Sequence, residues 1–503
     1  MKRIAWRKHH KWSGLVAAIL LLAFCLSGLA LNHRQVLAEA DVSRRWLPAR
    51  YAFRDWNNGL LRGTFRLPVT AGDHRRVVIY GAAGLLTADS VGRHVADFNA
   101  GLPAAADRRR VLAAACLPDG TLFAACTFGL YRRHLPGAWT PVALPLPAGE
   151  RLSDLCVRGD TLVVASRSFL YVSTDAAHRR FSRVQLAPSP DADGRVTLFR
   201  TVWALHSGEL FGLPGRLVVD AVAVALIALS VTGLLQWFLP ALRRWRRKRQ
   251  ARPAGGGFLR RNLGWHDRLG RTAIGLALLV AVTGWCLRPP LMIPLALTRV
   301  GAIPGTALDS HNPWHDRLRL VRYDTATAEW LISTSEGFFA LPRLDAAPRR
   351  VAVAPPVSVM GLNVWQRDSS GRWLCGSFRG LYVWDRRHGR VTDWFTGAPA
   401  PAQIGPPIGE RAISGYSADF VLPPVVVDYD AGTPALPQPA ALRHRPMPLW
   451  NVALELHSGR LFFGAAATYF FIFIAGALVL WCLWSGWKVR RRMARRRHAE
   501  PHA

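Results

Sequence analysis

Four long apolar stretches constrain this chain more than any other feature of its sequence. They cover residues 12–31, 213–239, 266–287 and 461–487. Each is long enough for a helix of about 30 Å, which matches the hydrocarbon thickness of a bilayer. We therefore predict four membrane-spanning helices in a lipid bilayer. A cleaved signal peptide is an alternative interpretation of the first stretch, but the three further spans favour an uncleaved anchor.

Basic residues flank these stretches. Lys and Arg total 65 against 32 Asp and Glu, which gives a formal net charge of +33. Much of this charge lies at the N-terminus, in residues 241–265 and in the tail 489–503. The positive-inside rule places all three segments, and so both termini, in the cytoplasm. We expect a bacterial inner-membrane protein with two large periplasmic loops, and no nucleic-acid partner, because the charge is explained by the membrane.

The predicted organisation follows from these spans. It comprises the N-terminus and first membrane helix (1–33), the first part of a periplasmic β domain (34–204), the second membrane helix (205–240), a basic cytoplasmic loop (241–265), the third membrane helix (266–288), the second part of the β domain (289–455), the fourth membrane helix (456–488) and a basic tail (489–503).

A short pattern repeats through the two polar stretches. It consists of a β-type run, a turn that usually contains glycine, and a second β-type run. Copies occur at residues 77–86, 121–131, 161–171, 330–339 and 373–382. A period of roughly 40 residues is typical of β-propeller blades. We therefore predict two all-β, propeller-like insertions, which either close together as one propeller or form two separate irregular β domains. Whether Cys116 and Cys126 form a disulfide is left open.

Two internal matches indicate a tandem duplication of helix, external domain and helix. The phrase Leu-His-Ser-Gly occurs at residues 205–208 and 456–459, and six of seven residues are identical when three more are included. The first and third spans also match. The residues at equal offsets are His10 and His266, Gly14 and Gly270, Ser27 and Thr283, and Gly28 and Gly284.

Each predicted span carries one histidine near its start. These histidines are His10, His206, His266 and His457. Ionisable side chains near a bilayer usually face the interior of the helix bundle. The topology places His10 and His266 near one face of the membrane, and the other two near the opposite face. Two facing imidazoles can bind the iron of a b-type haem from both sides, so the sequence predicts two haems. Hydrogen-bonded structural histidines are the alternative.

Small residues lie beside these histidines. Gly14 and Gly270 follow by one helical turn and Gly208 and Gly459 by two residues, which would leave room for a porphyrin. His33 is an alternative ligand or a surface residue. Zinc or copper at two-histidine sites is disfavoured, because no third ligand is evident.

The histidine motifs resemble the PepSY-associated transmembrane family of bacterial inner-membrane proteins. The resemblance lies in the stretches 10–14 and 266–270, in the two Leu-His-Ser-Gly phrases, and in the pairs Ser27-Gly28, Thr232-Gly233 and Thr283-Gly284. It implies a di-haem reductase that releases iron from ferric siderophores or similar chelates, with the four histidines as haem ligands. The small α+β modules usual in that family are not visible in this sequence.

We considered two functions other than a reductase. No flavin or nicotinamide motif follows the fourth span, so a reductase would need a separate electron donor, either a quinol or another protein. A non-catalytic membrane sensor or assembly factor, whose β domain binds a partner, is the main alternative. A secondary transporter would need broken helices or several buried charges, which the spans do not have.

Overall fold

The computed structural model describes residues 3–67, 76–175, 177–248, 256–358, 360–401, 409–421 and 423–497. The chain divides into two compact units. The membrane unit comprises Met1–Leu37, Asp193–Ser310 and Leu449–Ala503, and the β unit comprises Ala38–Ala192 and His311–Pro448. Both polar stretches of the sequence therefore contribute to one β unit.

The helices are mostly in the membrane unit. In chain order they are α1 (Arg3–Asn32), α2 (Ala106–Arg109), α3 (Leu198–Ser207), α4 (Gly212–Lys248), α5 (Gly256–Cys286), α6 (Met292–Leu297), α7 (Leu449–His457) and α8 (Ala465–Arg497). Four of them, α1, α4, α5 and α8, are long and apolar enough to cross a membrane, with mean hydropathy between 1.6 and 2.6. Their large apolar side chains remain exposed, including Ile19 at 60% and Phe470 at 73%. Such surfaces require lipid around them.

The four long helices pack in a closed order. Helix α1 contacts α4 and α8, and α5 contacts the same two helices. Small side chains permit these contacts: Ala277 of α5 packs with Val222 of α4, and Ala17 of α1 packs with Val479 of α8. The short helix α3 packs against α5, and α7 packs against α1.

The strands are short, and most of them pair in antiparallel orientation with the strand that precedes or follows them in the chain. They are β1 (Asp41–Val42), β2 (Gly63–Arg66), β3 (Val77–Gly81), β4 (Gly84–Ala88), β5 (Ala96–Asp97), β6 (Val111–Cys116), β7 (Leu122–Cys126), β8 (Gly129–Arg133), β9 (Thr140–Val142), β10 (Leu152–Arg158), β11 (Thr161–Ser166), β12 (Leu170–Ser173), β13 (Ser182–Val184), β14 (Arg195–Thr197), β15 (Arg299–Gly301), β16 (Leu318–Asp324), β17 (Glu329–Thr334), β18 (Gly337–Leu341), β19 (Arg349–Arg350), β20 (Val364–Arg367), β21 (Trp373–Ser377), β22 (Gly380–Asp385), β23 (Arg390–Asp393), β24 (Ile413–Ser417), β25 (Val425–Asp428) and β26 (Met447–Pro448).

Six antiparallel sheets form the β unit. Sheets 1 to 5 each have four strands in chain order, namely β2 to β5, β6 to β9, β10 to β13, β16 to β19 and β20 to β23, and sheet 6 has β24 and β25. The repeated segments of the sequence coincide with the two middle strands of sheets 1 to 5. Outside these sheets, β1 pairs with β26 and, in the membrane unit, β14 pairs with β15.

Each sheet packs against the next through a shared hydrophobic cluster. Val78 and Leu122 join sheet 1 to sheet 2, for example, and similar clusters join the following sheets in turn. The last cluster places Val425 of sheet 6 against Ile79 of sheet 1. Apolar residues on both faces of each sheet are buried by this arrangement, which explains the nearly continuous hydrophobic character of the middle strands.

The cysteines are unpaired. Cys116 and Cys126 are free, as are the other five cysteines. The register explains why these two do not form a disulfide: Cys116 lies opposite Leu122 and Cys126 lies opposite Val111, at the two ends of the β6–β7 pair. Their separation along the strands is too large for a disulfide.

Candidate functional site

The four predicted histidines come together as two pairs in the membrane unit. The rings of His10 and His266 have centroids 6.3 Å apart and planes at 56°. The rings of His206 and His457 have centroids 6.1 Å apart and planes at 51°. Each pair joins a histidine from the first half of the sequence to one from the second half.

The two pairs lie on different kinds of element. His10 and His266 lie inside the long helices α1 and α5, because α5 begins at Gly256, ten residues earlier than the sequence pattern predicted. We call them the long-helix pair. His206 and His457 lie on α3 and α7, separate short helices that precede α4 and α8. We call them the short-helix pair.

Turns with positive φ end the two short helices. Thr197 caps the start of α3, where its Oγ1 accepts a hydrogen bond from the Arg200 amide at 3.2 Å. Gly208 ends the helix with φ of +80°, and a Cβ there would lie 2.3 Å from the Gly215 carbonyl oxygen. Gly459 follows α7 with φ of +75°. Both glycines of the repeated phrase therefore form the turn that positions a histidine.

The Nδ1 atom of each histidine is occupied by a hydrogen bond to a neighbouring helix. The carbonyl acceptors are Cys482 for His10 at 3.1 Å, Val280 for His206 at 3.1 Å, and Phe24 for His457 at 3.0 Å. A carbonyl oxygen can only accept, so Nδ1 carries the proton and Nε2 keeps its lone pair.

His266 reaches the same state through a hydroxyl. Its Nδ1 lies 2.9 Å from Thr232 Oγ1. That hydroxyl donates to the Ala228 carbonyl oxygen at 2.7 Å, so it must accept the proton of the imidazole. All four imidazoles are therefore oriented with a free Nε2, the state in which histidine binds a metal.

Each histidine ring contacts a hydroxyl-bearing residue that is followed by glycine in the sequence. The hydroxyl of Ser27, Thr232, Thr283 or Ser485 lies within 3.3 Å of the Nδ1 atom. Two of the following glycines are tightly approached: a Cβ would lie 2.7 Å from His206 Cε1 at Gly284, and 2.9 Å from His10 Cε1 at Gly486. Sequence reasoning missed Ser485-Gly486, although its resemblance to the other three pairs was the available signal.

Other predicted residues have different neighbours. A Cβ at Gly14 would be 3.7 Å from Cys482 Sγ, and one at Gly270 would be 3.6 Å from Leu229 Cδ2, which are ordinary contacts between packed helices. His33 Nε2 lies 2.8 Å from a carboxylate oxygen of Asp220. That contact places His33 against an acid and not in either histidine pair.

Arg216 and Asp220 lie four residues apart on α4, a spacing at which side chains can pair, but each contacts a different residue. Arg216 instead contacts Glu209 at 3.2 Å, because the preceding turn brings that carboxylate back towards α4. Asn32 also donates to Asp220, at 3.1 Å.

An arginine, Arg288, lies beside the short-helix pair. Arg288 lies just after the end of α5 at Cys286, in the turn before α6, where its carbonyl oxygen accepts a hydrogen bond from the Met292 amide at 3.0 Å. Its charge acts on His457. Glu455 is close, but it is held by Arg460 at 2.6 Å. Among the described residues the Arg288 guanidinium has no hydrogen-bond or ion-pair partner, and no sequence pattern predicted this.

The donor set fits a haem better than a bare metal ion. In the described part of the chain, no group of three or more His, Cys, Asp or Glu could hold a metal ion. The two facing imidazoles of each pair, each with a free Nε2 atom, would be the residues that hold the iron of a b-type haem. Arg288 supplies a cation of the kind that pairs with a carboxylate.

Comparisons with known proteins give little detail outside the membrane helices. No curated protein matches the chain. Among solved structures, the chain is similar to the extracellular domain of a hybrid two-component system from B. thetaiotaomicron, with 11% identity and a TM-score of 0.31, covering 74% of this chain but only 39% of that one. For YCF48 bound to D1 peptide the identity is 9%, the TM-score 0.26, and the coverages 67% and 68%.

For PorZ of the type-IX secretion system of Porphyromonas gingivalis the identity is 12% and the TM-score 0.21, and the match covers 73% of this chain and 44% of that chain. The family comparison is more informative, because it includes His10, His206 and the helices that carry them. Residues 1–240 match the family described as the PepSY-associated TM region, which confirms the resemblance for this part of the chain.

Proposed function

We propose that the membrane unit binds two b-type haems, one at each histidine pair, and carries electrons across a bacterial inner membrane to a ferric chelate. The observation that carries the proposal is the spacing of the pairs, 6.3 Å for one and 6.1 Å for the other. An iron between two imidazole nitrogens, at bond lengths of about 2 Å, would put the ring centroids roughly 6 Å apart.

The hydrogen bonds support the same assignment. A histidine that ligates a metal usually donates its second N–H to a carbonyl or another acceptor, which fixes the ring and makes the ligating nitrogen more basic. His206 and His457 do this towards the Val280 and Phe24 carbonyl oxygens. A merely structural histidine would not also need a second imidazole opposite its remaining nitrogen.

Bound haem would supply reversible one-electron transfer at a potential set by its ligands and surroundings. The residues of this chain would hold the axial ligands neutral and correctly turned. Arg288 would pair with a haem propionate beside His457, which would give this cation the partner that it lacks among the described residues.

The direction of transfer rests on charge and topology. By the positive-inside rule, the basic segments that flank the spans support a cytoplasmic location for both termini. The β unit would then lie in the periplasm.

We propose that its six sheets, each packed against the next and the last against the first, form a single six-bladed propeller built from both insertions.

The proposed reaction balances with a separate donor. A quinol releases two electrons and two protons, and each ferric ion accepts one electron, so one quinol reduces two ferric ions. Hard oxygen ligands hold Fe(II) more weakly than Fe(III), so reduction would release iron from a siderophore or a similar chelate. A donor protein on the cytoplasmic side is the alternative electron source.

The test uses the purified full chain in detergent, reduced anaerobically with limiting dithionite and then mixed with ferric citrate. The proposal predicts b-type absorption bands that sharpen on reduction and decay when ferric citrate is added, with about one Fe(II) trapped by ferrozine per haem oxidised. His33→Ala is the matched control, because its imidazole contacts Asp220 and should leave both the bands and the iron yield unchanged.

Either of two outcomes would contradict the proposal. A protein that stays colourless after reconstitution with haem would exclude haem binding and favour a sensor or assembly factor. Reduced bands that persist in ferric citrate would exclude this electron acceptor.

A further inference from the structure

A cavity lies at the centre of the β unit, and its walls come mainly from the first strand of successive sheets. Its volume is about 270 Å³. The lining residues belong to or adjoin β2, β3, β6, β10, β16 and β20, so five of the six sheets contribute. A cavity of this size is large enough for several waters or for a small organic molecule.

The residues that line the cavity carry two positive charges, on Arg62 and Arg322, and one negative charge, on Asp154. Arg322 donates to Asp154, whose side chain is 1% exposed, so these two charges compensate each other. Arg62 has no ion-pair partner among the residues that the structure describes. Its guanidinium donates to neutral acceptors, namely the carbonyl oxygens of Leu112 at 2.9 Å and Leu362 at 3.1 Å and the amide oxygen of Asn363 at 2.8 Å.

The environment of Arg62 is unfavourable to its charge. Burial, together with the charge of Arg110, lowers the pKa of Arg62 to about 10. A guanidinium at this value is still protonated at neutral pH, and it lies where water cannot fully solvate it. An anion in the cavity would relieve that cost.

Hydrogen-bond donors without acceptors border the same cavity. Among the described residues, the Tyr80 hydroxyl has no hydrogen-bond partner, and burial raises its pKa, so it remains a donor. The buried indole N–H of Trp365 also lacks an acceptor. Buried polar groups are normally paired, so unpaired donors in one wall indicate a missing acceptor.

The local sequence keeps space for the Tyr80 ring. Gly63 lies directly opposite Tyr80 in the β2–β3 register. A Cβ at Gly63 would lie 2.3 Å from the Tyr80 hydroxyl oxygen, so any larger residue would displace the phenol. The position of this donor therefore depends on a glycine in the neighbouring strand.

We propose that this cavity binds a small oxyanion, a carboxylate or phosphate compound, between Arg62 and the Tyr80 hydroxyl. The positive charge of Arg62 attracts the anion, and the phenol donates a hydrogen bond to it. The proposal does not depend on haem binding, because every residue in it belongs to the β unit.

Isothermal titration of the full chain in detergent with inorganic phosphate, and separately with citrate, tests the proposal. We expect saturable binding of at least one anion, and a dissociation constant about 5 to 10 times larger in Tyr80→Phe, which removes only the hydroxyl. Gly63→Ala should weaken binding at least as much. Arg343→Gln, at an arginine whose side chain is 77% exposed, should leave the constant unchanged.

The outcomes separate cleanly. Binding of citrate alone assigns the site to carboxylates, binding of phosphate alone assigns it to phosphates, and binding of both supports the general oxyanion site. Absence of binding for both anions at millimolar concentration would overturn the proposal. Equal constants in wild type, Tyr80→Phe and Gly63→Ala would also overturn it, because binding would then occur elsewhere.

Discussion

The two histidine pairs have nearly the same ring separation but are held by different structures. In the long-helix pair, His10 and His266 are fixed by the packing of helices that cross the membrane. In the short-helix pair, His206 and His457 are fixed by helices of 10 and 9 residues that end in glycine turns. The same ring separation is therefore reached by two structural routes, of which the second depends on local backbone geometry.

The largest expected effect comes from the glycine closest to a histidine ring. In Gly284→Ala the new Cβ would lie 2.7 Å from His206 Cε1, so we expect His206 to be displaced and one of two haems to be lost. Gly233→Ala is the matched control in the long-helix pair, because its Cβ would lie at an ordinary 3.5 Å from His266 Cε1. Haem per chain, measured by pyridine haemochrome, should be near one in Gly284→Ala and near two in Gly233→Ala. Equal haem content would contradict the site geometry.

The glycine turn gives the next largest effect and should disturb only the short-helix pair. Gly208→Ala places a Cβ against the Gly215 carbonyl and forces a non-glycine residue into positive φ. We expect a loss of about 1 to 2 kcal/mol in the stability of this turn and partial loss of one haem.

Gly305→Ala is the control for the turn, since Gly305 also lies in a hydrogen-bonded turn with φ of +71°, but the site of its Cβ is open. It should reproduce the backbone strain without the clash. Thermal unfolding followed by haem absorbance distinguishes the two variants, and identical curves would show that the close approach at Gly208 does not matter.

The cation near the short-helix pair predicts a difference in redox potential. A positive charge favours the reduced state of a nearby haem, so Arg288→Gln should lower the midpoint potential of one haem by tens of millivolts and leave the other unchanged. Arg216→Gln is the control, because Arg216 already contacts Glu209. A potentiometric titration checks this, and an equal shift of both haems would contradict a local role.

The smallest expected effect comes from the hydroxyl beside the Nδ1 atom, a feature that both histidine pairs share. Thr283→Val removes one acceptor of the His206 Nδ1 proton but leaves the Val280 carbonyl oxygen at 3.1 Å. We expect haem affinity to fall by less than about 10-fold, below the usual cost of removing a partner of a ligating histidine. Haem transfer to apomyoglobin measures this, and complete loss of haem would mean that the hydroxyl, not the carbonyl, holds the ring.

Local sequence patterns predicted the membrane helices and the pairing of the histidines. The four apolar stretches are confirmed as candidate spans, because hydropathy is a property of short segments. The pairing followed from repeats that give equivalent histidines equivalent positions. The five repeated β segments likewise coincide with hairpins, since each is one strand, turn and strand.

Tertiary contacts were beyond the reach of these patterns. Ser485-Gly486 was missed because it lies 28 residues after His457, whereas Thr232-Gly233 lies 26 residues after His206, so the repeat is out of register there. The helical spacing of Arg216 and Asp220 would allow them to pair. The structure prefers Glu209 and His33 as partners, which helical spacing could not reveal.

The central claim is that each histidine pair holds one haem, and haem content per chain tests it most directly. The measurement compares wild type with His206→Ala, with His266→Ala and with the variant that carries both substitutions, each reconstituted with haem under the same conditions. The account predicts about two haems in wild type, one in each single variant and none in the double variant. Wild type without haem, or single variants that keep both haems, would contradict it.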